Sequence, residues 1–252
     1  MTKLKMMAAV AGLALATAAA PASAADFLLN LTATGSGSGA YRDYSFQLDG
    51  KTVNARATAW SVGTDSTGRI YDAKLGVWTE GLGVTNDAEG SGGGNTHTID
   101  NQYGYDFVLL QFSTDVLLSK ITTSPFQIGN DKDSDATVAW GDVTTAWNQS
   151  LGLNNKSYAT LTNLLDGSTT LAGGSTTSTR SVTGASASNL WLVGAAVAGA
   201  PDKTIDGFKL GAVTVSSAVP EPATWMMMIG GFAMVGAAVR RRKSVTGGAA
   251  VA

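Results

Sequence analysis

The chain has no cysteine, one histidine and five prolines among its 252 residues, and only 14% of it is charged. Each shortage removes a class of explanation. Without cysteine there is no disulfide framework and no thiolate nucleophile or ligand, so an exported domain must be held by its core alone. A single imidazole, His97, argues against zinc, whose sites need three or four nitrogen or sulfur ligands. Basic charge is also scarce in the body of the chain. Two of the 17 Lys and Arg lie before residue 25 and four at 240–243, leaving 11 against 18 acidic residues over 25–218, a net of −7. That balance argues against nucleic acid or anionic lipid as a partner of this region, since both call for basic patches. Long Glu- and Lys-rich amphipathic runs are missing as well, which argues against a helical body.

The two ends are different objects. Residues 1–24 carry Lys3 and Lys5, an apolar run over 6–20, and the triplet Ala22-Ser23-Ala24, the order of parts in a secretory signal peptide. Cleavage after Ala24 predicts a mature chain beginning at Ala25; an uncleaved anchor is the alternative, and the A-x-A triplet argues against it. At the other end Pro220-Glu221-Pro222 precedes an apolar stretch that starts near Ala223, and Arg240, Arg241, Arg242 and Lys243 follow it. Pro220 and Pro222 lack backbone donors, so no helix propagates upstream through them. A helix over 223–239 would be about 26 Å long, near the lower limit for a hydrocarbon core of about 30 Å. Trp225 stands where an interfacial aromatic belongs, and the Arg block stands where cytoplasmic charge belongs. A buried core helix is the competing reading, and three consecutive arginines at its end argue against it.

This tail resembles the PEP-CTERM sorting signal of exosortase-dependent surface proteins of Gram-negative bacteria. Pro220, Glu221, Pro222, Trp225, Met227, Met228, Ile229, Gly231, Phe232, Gly236 and Arg240 to Arg242 stand at positions matching one variant of that signal, with Met226 in place of its usual Ala. The resemblance implies recognition and removal of the tail by a membrane-embedded exosortase, and an inner-membrane precursor before processing. The expected division is a signal peptide at 1–24, a passenger domain at 25–218, the sorting signal with its transmembrane helix at 219–243, and a short cytoplasmic tail at 244–252.

The passenger reads as mostly β. Gly, Ser and Thr are abundant, and short alternating segments recur between Gly, Asn and Asp clusters. Strands are expected at 26–34, 41–48, 52–62, 69–79, 106–113, 116–123, 136–140, 189–196 and 204–215, a number that suits a β-sandwich or jelly roll. The run Phe107-Val-Leu-Leu-Gln-Phe112 is almost entirely apolar, as a central strand covered on both faces would be. One short helix is expected, capped by Ser157, with Tyr158, Leu161, Leu164 and Leu165 on one face and its end at Gly167. The Thr-, Ser- and Gly-rich stretch 168–181 reads as a polar loop or edge hairpin.

Two constellations invite a chemical reading. Asp131, Asp133 and Asp135 alternate along the chain, with Asp142 at the twelfth position. An EF-hand is excluded, because Ala136 stands where that loop needs Gly and Asp142 where it needs a bidentate Glu. A calcium site in a β-domain loop, with the three Asp as first ligands, competes with a solvated acidic turn, which is the preferred reading. No other cofactor is expected. His97 lies near Asp100 and many serines, but no Gly-x-Ser-x-Gly elbow accompanies it, so a structural role is expected rather than a catalytic one. The segments 81–86, 97–101 and 106–112, together with the Asp-rich turn, resemble a passenger family found among exosortase-dependent surface proteins, which implies a β-rich secreted domain of unassigned activity. Trp60, Trp78, Trp140, Trp147 and Trp191 are expected mostly in the core. The reading is an exported surface or extracellular-matrix protein with a structural or adhesive role. Its expected partners are the secretion machinery, an exosortase and exopolysaccharide, with no nucleic acid. The alternatives are a carbohydrate-binding module or a secreted hydrolase.

Overall fold

The apolar run at 107–112 is buried at every residue, as its composition requires. The computed structural model describes residues 25–32, 37–63, 68–90, 95, 97–196, 203–218 and 230–236. Its strands in chain order are β1 (Phe27–Asn30), β2 (Gly37–Gly39), β3 (Tyr41–Leu48), β4 (Lys51–Gly63), β5 (Arg69–Asp72), β6 (Lys74–Trp78), β7 (Gly81–Thr85) and β8 (Ile99–Asp100). Then come β9 (Gly104–Pro125), β10 (Ala136–Gly141), β11 (Lys156–Ser157), the helix α1 (Tyr158–Thr162), β12 (Gly167–Leu171), β13 (Ser178–Ser181), β14 (Ser188–Ala195) and β15 (Gly207–Ser217). A 3-10 turn at Asp87–Glu89 follows β7.

The expectation of a mostly β domain with one short helix matches the structure. Its layering is that of a single curled antiparallel sheet, in which all fifteen strands are hydrogen-bonded into one network rather than into two separate sheets. The reason is the length of β9. Its 22 residues serve two sets of neighbours: β4 and β14 flank the first half, where Ala57 faces Leu110 and Trp191 also faces Leu110, while β15 and β13 flank the second. The changeover falls at the exposed Ser113, Thr114 and Asp115, where the Ser113 hydroxyl accepts from the Asn54 amide at 2.9 Å. Those polar residues suggest a break between two strands, yet the backbone stays extended through them because its neighbours change and it does not.

Period-two alternation sorts the core into two faces. On one, Val108, Leu110 and Phe112 of β9 meet Val53, Ala55, Ala57 and Ala59 of β4 together with Trp191 and Val193 of β14. On the other, Phe107 and Leu109 meet Trp60, Ile70, Leu190 and Leu192, and this smaller cluster is closed by Leu153 and by Leu161 of α1. The helix is therefore a cover over the outer face of β9. It is shorter than expected, because the Asp166 amide donates to the Trp140 carbonyl at 2.7 Å and the chain turns into β12. Leu164 and Leu165 still pack on the cluster from beyond its end. Ser157 occupies the N-cap, but its hydroxyl pairs with that of Thr160 at 3.2 Å rather than with a backbone amide.

Two other expectations are corrected. The segment 69–79 is not one strand; it bends at Ala73, whose amide donates to Ala59 at 3.2 Å, so that β5 pairs with β4 while β6 pairs with β7. The stretch 168–181 is neither a loop nor a hairpin: β12 pairs with β10 and β13 with β9. Polar composition hides such strands, because an edge strand needs backbone partners and not an apolar face.

Leu110 is fully buried between β4 and β14, whereas Thr114 is exposed on the same strand. Leu110→Ala should cost about 2–5 kcal/mol in urea unfolding, and Thr114→Ala should fall within about 0.5 kcal/mol of the parent.

Candidate functional site

The acidic residues single out two places where carboxylates converge inside the fold. In the first, Asp133 and Asp135, from the segment entering β10, meet Asp206 at the start of β15; one oxygen from each lies within 4.8 Å of the others, and all three residues are buried. The sheet itself creates this meeting, since Asp133 and Asp206 form a parallel bridge and the Gly207 amide donates to the Asp133 carbonyl at 3.0 Å. Asp206 accepts from the Asp135 amide on Oδ1 at 3.0 Å and from Asn101 Nδ2 on Oδ2 at 2.9 Å. Asp135 Oδ1 accepts from the Gly173 amide, and Asp133 Oδ2 from the Thr204 hydroxyl at 3.3 Å.

A positive charge accompanies this cluster. Arg180 of β13 donates to the carbonyls of Ser134 and Leu171 and to the Thr123 hydroxyl, at 2.7–2.8 Å. Burial pulls its guanidinium below the ordinary value, opposed by the fields of Asp135, Asp133 and Asp206. Burial also pushes the Asp206 carboxyl up to about 8, reinforced by Asp135 and Asp133. Of the three Asp expected as calcium ligands, the structure thus brings Asp133 and Asp135 together and leaves Asp131 outside. Asp131 is half-buried, in a bridge with Ile128, and its Oδ2 accepts from the Ile205 amide at 3.3 Å.

The second cluster joins Glu89 of the 3-10 turn, Asp100 of β8 and Asp106 of β9, again with one oxygen from each within 4.8 Å of the others. Local chemistry builds it. Asn86 caps the turn, its Oδ1 accepting from the Ala88 amide at 2.9 Å while Glu89 Oε2 accepts from the Asn86 amide at 2.7 Å, the reciprocal pattern of a capping box. Asp100 accepts from the Gln102 amide at 3.0 Å and the Thr98 hydroxyl at 3.1 Å, and Asp106 Oδ1 from Asn86 Nδ2 at 3.0 Å. A Cβ on Gly104 would stand 2.5 Å from the Ser61 hydroxyl, so this close approach requires glycine. Burial raises the carboxyls of Glu89, Asp100 and Asp106; the charge of Asp100 adds to the rise in Glu89 and Asp106, and that of Asp106 to the rise in Glu89.

His97 belongs to neither cluster. Its ring packs on Trp78 with centroids 4.8 Å apart, and burial together with Lys209 lowers its pKa. Lys209, 2% exposed, sits 4.3 Å from the ring centroids of both Trp78 and Phe126, with Glu80 at 3.9 Å. Trp60, Trp140 and Trp191 are core residues, while Trp78 and Trp147 are half-buried. Beside Trp60 lies a groove of about 300 Å³ lined by Tyr41, Arg56, Asp72, Gln111 and Gln149 among others. There Arg56 stacks 3.7 Å over the Tyr41 ring and is held by both oxygens of Asp43 at 2.7 Å.

Pro220, Glu221, Pro222, Trp225, Arg240, Arg241, Arg242, Ala22 and Ala24 lie outside the described residues, and Ala25 is exposed at the start of the passenger. Within the apolar tail, residues 230–236 are helical, with Phe232, Met234 and Val235 exposed. Among the described residues no helix is long and apolar enough to cross a membrane. The sequence reading missed Glu89, Asp106, Arg180 and Asp206. The available signal was an acid at the mouth of an apolar strand, Asp106 before Phe107 and Asp206 before Phe208.

Stability should depend on pH through these buried acids. A carboxyl such as Asp206, at about 8 in the fold against about 3.9 unfolded, keeps its proton in the folded state where the unfolded chain has released it. Its contribution is complete below about pH 4 and lost as pH rises through about 8. In chelator, the melting temperature should therefore fall between about pH 5 and 8.5, and Asp206→Asn should flatten that slope; a profile identical to the parent's would refute the assignment.

No curated protein matches the chain. Residues 218–243, which begin directly after β15, match the family model of the PEP-CTERM protein-sorting motif. The chain thus carries a PEP-CTERM sorting motif and is an exported protein with an exosortase as its processing partner.

Proposed function

We propose that the chain is a non-enzymatic structural or adhesive protein of a Gram-negative cell surface or extracellular matrix. Residues 1–24 direct it to the secretion machinery and are removed before Ala25. The β domain is the passenger, and 223–239 anchor the precursor in the inner membrane until an exosortase acts at Pro220-Glu221-Pro222. The carrying observation is where the sorting motif begins: the match starts at residue 218 and β15 ends at Ser217. β15 is paired with β1, β7, β8 and β9, so removal of the tail leaves every strand of the passenger in place. The role is read as non-enzymatic because the sole histidine is packed on Trp78 and, among the described residues, hydrogen-bonds to no hydroxyl or carboxylate.

The groove beside Tyr41 supports a second reading, in which the passenger holds exopolysaccharide. It combines aromatic surface with the amides of Gln111 and Gln149 and the carboxylate of Asp72, the donor and acceptor mix that sugar hydroxyls require. Retention on a polysaccharide affinity gel that is lost in Tyr41→Ala would favour this reading.

Processing tests the first reading. Glu221→Ala should leave export and membrane insertion intact yet block processing, so that full-length chain accumulates in the inner membrane. Neutralising Arg240, Arg241 and Arg242 should instead misplace or release the precursor. Fractionation with intact-mass measurement distinguishes these. A Glu221→Ala protein with the parent's mature mass and location would mean that the tripeptide is not read.

A further inference from the structure

We infer that Glu89, Asp100 and Asp106 form a binding site for one hard divalent cation, calcium by the nature and spacing of its donors. Three separate pieces of chain, the turn after β7, β8 and the start of β9, bring one carboxylate oxygen each to within 4.8 Å of the others. Calcium binds oxygen at about 2.3–2.6 Å, so ligands on opposite sides of the ion stand about 4.6–5.2 Å apart, and the cluster fits inside that span. An all-oxygen donor set disfavours the softer transition metals.

The second observation is independent of the clustering. Asp106 is fully buried, and while its Oδ1 accepts from Asn86, its Oδ2 has no hydrogen-bond partner; the buried Glu89 Oε1 has none either. A buried acceptor left unpaired is costly, and an ionised carboxylate can be satisfied only by a donor or a cation. Neither comes from a basic side chain, because among the described residues the ion pairs are Arg56 with Asp43, Lys120 with Asp26 and Lys209 with Glu80. The cluster at Asp133, Asp135 and Asp206 has Arg180 beside it, and among the described residues this one has no counterpart.

The remaining contacts are those of a prepared site. The capping box fixes Glu89, Thr98 and the Gln102 amide fix Asp100, and Asn86 fixes Asp106, so each ligand is oriented by a hydrogen bond to its other oxygen or from a neighbour. A cleft of about 380 Å³ is lined by Ser61, Asn86, Ala88 and Tyr103, and its Asn86 is the residue that donates to Asp106 Oδ1. Bound there, the ion ties the end of β7 to β8 and β9, a cross-link that a cysteine-free exported chain cannot make with a disulfide. Extracellular calcium modules operate at about 0.1–1 mM, so export itself would load the site.

The test uses the full-length chain purified in detergent, stripped with chelator and titrated with calcium chloride by calorimetry and thermal melting. The parent should take up calcium with a melting temperature raised by about 5 °C or more at a hundredfold excess over Kd. Glu89→Gln, which keeps an oxygen for the Asn86 cap, and Asp106→Asn should each weaken uptake about tenfold or more, with an unchanged circular dichroism spectrum confirming Glu89→Gln as folded. Asp133→Asn should leave this uptake intact. The inference is overturned by a parent that binds no calcium, by Glu89→Gln binding as the parent does, or by a loss confined to Asp133→Asn.

Discussion

Backbone pairing along both edges of β9 is the interaction on which the other elements depend. A strand hydrogen-bonded to β4 and β14 over its first half and to β15 and β13 over its second cannot be removed without dismantling both faces of the core. Over residues 107–112 both faces are apolar because both are covered: Val108, Leu110 and Phe112 share a core cluster with Leu82, Val84 and Val213, and Phe107 and Leu109 lie under α1 and the segment leading to it. The small side chains of Ala55, Ala57 and Ala59 leave room beneath them for the larger Val108, Leu110 and Trp191, which is how a sheet with few bulky residues in one strand still fills its interior.

Such burial makes charge expensive, and the fold meets that expense in two ways. Around Asp206 it supplies backbone amides, Asn101 and the guanidinium of Arg180, which comes from the polar strand β13. Around Asp106 it supplies Asn86 and a capping box but, among the described residues, no cation, leaving carboxylate oxygens that a divalent ion would satisfy. Both clusters stand where a strand begins, at the mouths of β9 and β15, so either one affects how the central pair of strands is joined to its surroundings.

The sorting motif and the passenger were legible to different degrees for a physical reason. A sorting signal is read as a linear order of parts, and Pro220-Glu221-Pro222, the apolar run and Arg240 to Arg242 are adjacent in the chain, so no folding is needed to find them. Strands with apolar alternation were equally plain: β3 falls at 41–48 and β14 within a residue of its expected limits. Edge strands with polar side chains were not, because what holds β12 and β13 is the backbone of β10 and β9, and composition carries no trace of a partner.

Sequence by itself determined that this is a cysteine-free, acidic, mostly β chain with a covered central strand and a PEP-CTERM tail, since each of these follows from composition, periodicity or a contiguous motif. Tertiary structure alone decided which acids meet. Asp133 finds Asp206 across 73 positions of the chain only because β15 returns beside that segment, and Glu89 finds Asp100 and Asp106 only because β8 and β9 fold back on the turn after β7. Alternate spacing of Asp131, Asp133 and Asp135 suggested one ligand set, but only Asp133 and Asp135 of the three share a cluster, and its third member, Asp206, arrives with β15. Carboxylates converge where separate strands end together, and that is a property of the sheet.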